Sequence, residues 1–346
     1  MHVLRTPDER FVGLSGYPFE PNYRDVAATG LPPLRMHYVD AGPSDGPVVV
    51  LLHGQPTWSY LYRYVIARLA EAGMRVIAPD NIGFGRSDKP TDATDYTFAR
   101  HIDWAHSLIV GLDLRAVTLV VQDWGGPIGL SVLAREPDRF ARVVATNTIL
   151  HTCDPGLAGR LTWAHHGVDQ DRVLLQETLL DYVSFYQRSP DIVPSLFLEA
   201  VAGPLSAPVL AGYNAPFPDR AYKAGLRQMT ALVPLTRNDP GAKIGAATMA
   251  ALNDWHKPFL TAFSDGDPAT RGWDVVFQQH VPGARGQNHT TIADAGHFVQ
   301  EQQGERLANI VAELKNRRLH KNKNSVKTKI LPLGKVRLSA VFPEIR

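Results

Sequence analysis

The short β-branched run Val117–Val121 stops abruptly at Gln122-Asp123-Trp124-Gly125-Gly126, and Pro127 then opens a helix-like stretch. A strand that feeds a tight Gly-rich turn and then a helix is the context of a nucleophile elbow. Such an elbow holds one side chain at the top of a parallel sheet and aims the helix N-terminus at it. No other stretch constrains the fold as much. Asp123 takes the central position. A serine there that displaced a leaving group from saturated carbon would be left as an ether, which water does not cleave; a carboxylate is left as an ester, which water cleaves at its carbonyl carbon. An aspartate elbow therefore points to attack on an alkyl carbon. The competing role for this residue is plain capping of the helix that follows.

The rest of the chain supplies partners in the order nucleophile, acid, histidine, the order of an α/β-hydrolase. His297 stands in Ala293-Asp294-Ala295-Gly296-His297-Phe298, after a short strand-like segment and before the helical pattern 299–314. The acid belongs between them, just after a buried strand. Segment 258–263 is such a strand and runs into Ser264-Asp265-Gly266-Asp267-Pro268. Asp267 is favoured over Asp265, although either taken singly is also an ordinary turn residue. Three residues in this order weigh against a purely structural account. A further apolar run, Val48–Leu52, ends in His53-Gly54-Gln55-Pro56-Thr57-Trp58. A loop in that place carries an oxyanion-hole donor, so the backbone N–H groups of Gln55 and Trp124 are the candidates. Each donor contributes about 3 kcal/mol in comparable sites.

Alternating strand and helix patterns describe an α/β-hydrolase fold, a mostly parallel central sheet flanked by helices. Strands are expected near 35–39, 48–52, 76–78, 117–121, 143–146, 259–263 and 290–292. After Thr146 the alternation stops, and a long stretch rich in Leu, Ala and Pro carries helix-like segments but no convincing strand. This divides the chain into a first core part over 1–150, an inserted helical cap over 151–238, a second core part over 239–314 and a disordered basic tail over 315–346. With 346 residues and 44% hydrophobic content the chain can bury a large core. No apolar run approaches the roughly 20 residues of a membrane-spanning helix.

At these residues the chain resembles the haloalkane dehalogenases, in particular the branch that reads HG-x-PTW after the first central strand and QDWG at the elbow. The similarity runs from near Arg5 to about Leu314. It includes Gly83-Phe84-Gly85-Arg86-Ser87-Asp88-Lys89-Pro90, Ala215-Pro216-Phe217-Pro218-Asp219 and Gly296-His297-Phe298-Val299-Gln300-Glu301. The first of these is shared with many relatives and supports the fold more than the reaction. The resemblance implies hydrolytic dehalogenation of a small apolar haloalkane to a primary alcohol and halide, with no metal or organic cofactor. Asp123 would displace halide to give an alkyl ester, and His297, supported by Asp267, would activate the water that cleaves it. The indole N–H of Trp124 suits a departing halide, since it donates from a body that excludes water.

The chain departs from that branch at two places. A second halide-binding tryptophan belongs in the cap, which contains only Trp163. Distance from Asp154 makes Trp163 the match, whereas matching through Phe185-Tyr186-Gln187-Arg188-Ser189-Pro190 puts Tyr182 there. Both stay open. Gln55 stands where the branch commonly has glutamate, which leaves the backbone donor intact. Leu161, Phe185, Phe197, Leu210 and Phe217 are candidate pocket-lining residues. The closest rival reaction is epoxide hydrolysis with the same three residues. Its alkoxide leaving group calls for general acids, for which Tyr182, Tyr186, Tyr213 and Tyr222 are available. A non-catalytic receptor on the same scaffold is a third reading, disfavoured by the intact nucleophile, acid and histidine.

Elsewhere the chain is plain. Cys153 is a lone cysteine without motif context, and His165-His166 lack the spacing of a metal site. The N-terminus lacks the apolar core of a signal peptide, so a cytoplasmic monomer is expected. The tail 315–346 holds ten Lys and Arg against Glu344, which leaves 26 against 33 acids, net −7, for residues 1–314. A basic tail can bind nucleic acid through charge alone, but a mobile appendage is the preferred account.

Overall fold

The computed structural model describes residues 1–154, 157, 167–169, 172–174, 183, 184 and 186–316. Among them an eight-stranded sheet is built from β1 (Asn22–Ala28), β2 (Leu31–Ala41), β3 (Val48–Leu52), β4 (Arg75–Pro79), β5 (Val117–Val121), β6 (Phe140–Ala145), β7 (Phe259–Ser264) and β8 (Thr290–Ile292). The strand order is β1-β2-β4-β3-β5-β6-β7-β8. From β4 to β8 every neighbouring pair is parallel, while β1, β2 and β4 pair antiparallel.

The central strands are apolar on both faces because both faces are covered. Along β5 all five residues are buried. Val117, Leu119 and Val121 enter one hydrophobic cluster while Val120 enters the opposite one, as the two-residue period of a strand requires. One face is covered by α1 (Arg63–Glu71), through Val65, Ile66 and Leu69, and by the C-terminal helix, through Leu307, Ala308 and Val311. The other is covered by α2 (Phe98–Gly111), through Ile102 and Ile109, and by α3 (Gly125–Arg135), through Ile128 and Leu130.

Between β6 and β7 the chain leaves the sheet for a helical insertion. Its described helices are α4 (Pro194–Ala202), α5 (Ala207–Asn214) and α6 (Ala224–Ala231). The chain then returns through α7 (Pro240–Leu252), and α8 (Trp273–His280) and α9 (Val299–Asn316) complete the core. A buried cluster ties insertion to core. Arg63 on α1 makes two contacts, 2.6 and 2.7 Å, with the carboxylate of Glu301 on α9, and the Tyr213 hydroxyl of α5 donates to the same carboxylate at 2.6 Å.

The expected strands at 48–52, 117–121 and 290–292 match β3, β5 and β8, and the other four fall within a few residues of theirs. Two features differ. The edge strand β1 was not expected, because only Val26 of its seven residues is fully buried and it carries almost no apolar signal. In the stretch read as having no convincing strand, Gly167–Asp169 pairs antiparallel with Arg172–Leu174. Three-residue strands are too short for a periodic pattern to show. Residues 317–346 of the basic tail, whose disorder was expected, lie outside the described residues, and α9 runs past 315 to Asn316. Among the described residues no helix is long and apolar enough to cross a membrane.

Candidate active site

The strand order reverses between β3 and β5, which run side by side while their following segments diverge to opposite faces. Ligands of open α/β sheets bind in the crevice at such a point, beyond the carboxyl ends of the strands. Gln55 follows β3 and Asp123 follows β5, so both are delivered there by the topology. Asp123 has φ +50°, a left-handed conformation that costs a residue with a Cβ about 1 to 2 kcal/mol. The surroundings hold it. Its N–H donates to the Asn147 carbonyl at 2.9 Å, and its own carbonyl accepts from the Thr148 hydroxyl at 2.7 Å and from Gly126 N–H at 2.9 Å. Its carboxylate accepts an N–H from the loop after β3 and none from the first turn of α3, so the capping role considered for Asp123 falls away.

The two carboxylate oxygens of Asp123 face different partners. Oδ1 accepts the backbone N–H of Gln55 at 2.6 Å, and Oδ2 lies 3.4 Å from Nε2 of His297. The approach of the β3 loop requires Gly54, because a Cβ at that position would collide with the Asp123 carboxylate. His297 follows β8 on a loop ahead of α9, and its Nδ1 is 3.0 Å from Oδ2 of Asp267. The same oxygen of Asp267 accepts the Thr270 hydroxyl at 2.5 Å, and its Oδ1 accepts Ala269 N–H at 2.9 Å. Asp265, the alternative acid, instead accepts the N–H groups of Asp294 and Ala295 and so shapes the turn before the histidine.

Electrostatics follow from this packing. Burial alone would strip His297 of its proton, but the carboxylates of Asp267 and Asp123 outweigh it and raise the ring to about 10. Burial likewise works against ionised Asp267, yet the imidazole, the Thr270 hydroxyl and a backbone N–H keep its carboxyl below the usual range. The Asp123 side chain is 21% exposed, against 8% for His297 and 2% for Asp267. The carboxylate at the elbow is thus the one open to a ligand.

It opens into a cavity of about 170 Å³ with a mostly apolar wall formed by Trp124, Ile149, Phe197, Val201 and Val233, with His151, Thr270 and the three residues just described. Of the lining residues expected, Phe197 is there. Leu210 and Phe217 are corrections: Leu210, on α5, is not among the residues that line the cavity, and Phe217 packs against Phe84 in the core. Leu161 and Phe185 lie outside the described residues, as do Trp163 and Tyr182. Among the described residues no tyrosine lines the cavity. Tyr213 gives its hydroxyl to Glu301, and Tyr186 is buried beside Gln55. Cys153 is half-buried and does not line the cavity; its thiol meets the Pro234 carbonyl at 3.4 Å and is pushed up to about 11 by burial. Among the described residues no group of three or more His, Cys, Asp or Glu converges as metal ligands would.

Several site residues were not anticipated. Ile149 and His151 follow β6, and the rule that sites gather at the carboxyl ends of central strands would have found them. His151 packs tilted against Trp124 at 4.7 Å between ring centroids. Asn147 has φ +38° and works as a fastener, its Nδ2 reaching the carbonyls of Gly296 and His297 at 2.9 and 3.0 Å and the Ser264 hydroxyl at 2.8 Å. Nothing in a lone asparagine announces that.

Comparison with known proteins agrees with this geometry. A family model described as α/β hydrolase fold matches residues 47–198. A haloalkane dehalogenase of Psychrobacter cryohalolentis is 47% identical over 314 residues, covering 90% of this chain and 98% of that protein. One from Mycobacterium marinum is 48% identical over 310 residues, covering 89% and 98%. Among solved structures, a tetrameric haloalkane dehalogenase from Paraglaciecola agarilytica superposes with a TM-score of 0.78 at 32% identity, covering 92% of this chain and 100% of that one. Likeness at this level along nearly the whole described length means that the chain belongs to the haloalkane dehalogenases, hydrolases that act on carbon–halide bonds.

Proposed function

We propose that Asp123, His297 and Asp267 carry the dehalogenation in two steps, with Gln55 N–H and Trp124 N–H as the oxyanion hole. The observation that carries this reading is the unequal placement of the two Asp123 oxygens. Oδ1 is already held by Gln55 N–H, which leaves Oδ2 to attack the carbon that bears the halogen. A new C–O bond forms, the carbon–halogen bond breaks, and halide leaves with the bonding pair. Oδ1 then becomes the ester carbonyl oxygen. When water attacks Cγ, negative charge gathers on Oδ1, where a donor is waiting. His297 takes the proton of that water at Nε2, held in place by Asp267 at Nδ1, and returns a proton to the departing alkoxide oxygen. The sum is alkyl halide and water going to alcohol, halide and a proton.

Alkylation also changes the histidine. The resting carboxylate at 3.4 Å is one of the two anions that raise the ring, and ester formation removes its charge. The ring then gives up its resting proton to solvent more readily, so its free base is available when water must be deprotonated. Trp124 lines the cavity and supplies one N–H to the leaving halide, and the second donor comes from the insertion, Trp163 or Tyr182. The insertion over 151–238 acts as the cap, its α4 contributing Phe197 and Val201 to the wall.

The test is halide and alcohol release from 1,2-dibromoethane, 1-bromobutane and 1-chlorobutane, with styrene oxide alongside. Equal amounts of bromide and alcohol, lost in Asp123→Ala and stalled at a trapped ester in His297→Phe, are the expected result. Diol from the epoxide without halide release would overturn the reading.

A further inference from the structure

We propose that Gln122, the residue before the nucleophile, is a positioning residue that keeps Nε2 of His297 free of a proton while the ester awaits hydrolysis. The inference rests on the roles assigned above to Asp123 and His297. Gln122 is fully buried, and its Nε2 lies 3.1 Å from Nε2 of His297 and 3.2 Å from the His297 carbonyl oxygen. Its Oε1 is buried without a partner among the described residues.

The orientation of the amide follows from the carbonyl. A carbonyl oxygen only accepts, so turning the amide over would set two oxygens against each other at that distance. One amide hydrogen therefore faces the His297 carbonyl and the other faces the ring. An amide N–H bonds well to a bare imidazole nitrogen and badly to a protonated one, since two donors then point at each other. Gln122 thus favours the tautomer with hydrogen on Nδ1, which is the atom that faces Asp267. The unpartnered Oε1 is the price of this placement: a buried amide gives up one acceptor so that both hydrogens face His297.

Among the described residues the charged groups that face the ring are Asp267, from the loop after β7, and Asp123, from the elbow. Both pull toward the imidazolium, while burial of the ring and the Gln122 amide pull against it. In the resting enzyme the carboxylates win, as the raised ring shows. Once Asp123 is alkylated its pull is gone, and the balance at Nε2 passes to Gln122 until water arrives to take that lone pair.

The experiment is rapid-quench turnover of 1,2-dibromoethane by the full chain, by Gln122→Met and by Gln122→Glu from pH 6 to 10.5, with bromide and covalent ester followed separately. Asn147 continues to hold the His297 carbonyl in both variants, so the loop keeps its anchor. In Gln122→Met the bromide burst should stay within about threefold of the parent while ester hydrolysis slows about tenfold or more at pH 7.5. The rising limb of hydrolysis should move up by about one pH unit, and further in Gln122→Glu, whose carboxylate accepts from a protonated ring. Hydrolysis that keeps its pH profile in both variants would overturn the inference, as would an equal fall in both steps. A parent that gives no burst and no ester would sink the Asp123 and His297 roles themselves, and this inference with them.

Discussion

Two buried histidine–carboxylate pairs in this molecule have nearly the same geometry and opposite surroundings. His297 and Asp267 meet at 3.0 Å beside the cavity; His37 and Asp80 meet at 2.7 Å in the body of the protein. Asp80 is saturated. Its oxygens accept the N–H groups of Ser59 and Arg86 at 2.8 Å as well as the imidazole, and its side chain is 0% exposed. Burial works against the Asp80 charge, yet the neighbouring His37 and His53 and these donors hold the carboxyl well below its usual range. The ring of His297 instead presents its second nitrogen to the one site carboxylate that is open to a ligand. A perturbed, buried pair is thus no mark of chemistry by itself; an unfilled position facing a cavity is. Asp80 opens the Asp80-Asn81-Ile82-Gly83-Phe84-Gly85-Arg86 segment and braces it against β2 and the loop after β3. This explains why that segment speaks for the fold and not for the reaction.

Substitutions should separate the two pairs cleanly. The largest effect is expected from Asp123→Ala, which should lower steady-state halide release by about 10⁴-fold or more, with no ester mass after substrate is added. His297→Phe comes next. It should release one equivalent of bromide and then stall, slowing turnover about 10² to 10⁴-fold, as intact-mass spectrometry would record. Asp80→Asn should act on stability instead. Leaving its buried donors and imidazole without a carboxylate should lower unfolding free energy by about 3 kcal/mol, read from the denaturant midpoint, while turnover per folded molecule stays near the parent value. A steep loss of turnover in the folded Asp80→Asn protein would break the comparison.

The smallest effect is in the pH dependence of melting, where the raised His297 and the lowered Asp80 act in opposite directions. His297 is raised, so its contribution is complete below its ordinary 6.5 and is lost as pH rises through about 10. Asp80 is lowered, so its contribution is complete above the ordinary carboxylate range and is lost as pH falls toward its depressed value. Between pH 7 and 10.5 the parent should lose a few degrees more than His297→Phe does. Parallel alkaline limbs in the two proteins would count against the charge state assigned to the resting ring.

Legibility in the sequence tracked the kind of signal each element carries. β3 and β5 are short runs, apolar but for Thr118, that end in glycine-bearing turns, and their limits were readable to the residue. β1 needs only Val26 to dock and could not be seen. Leu210 and Phe217 were misassigned as lining because an apolar residue in a helical insertion has the same pattern whether it faces the cavity or the core. Gln122 and Asn147 were missed as site residues for a related reason. Neutral side chains that fasten a site have no required spacing, since they act through whichever strand ends the fold brings together.

The sequence by itself determined the order of the chemical groups. An aspartate between a strand and a glycine-rich turn, an acid after a later strand and a histidine before the last helix are local patterns, fixed by backbone sterics and by which residues tolerate a tight turn. Tertiary structure alone decided what each group faces. The separations of 68 positions from Gln55 to Asp123 and of 30 from Asp267 to His297 are closed only when parallel strands pair. Hydrogen bonds and charge act over a few ångströms of space, whatever the separation along the chain. For that reason the same histidine–aspartate pairing is a brace at Asp80 and, in the function proposed above, a reaction site at Asp267.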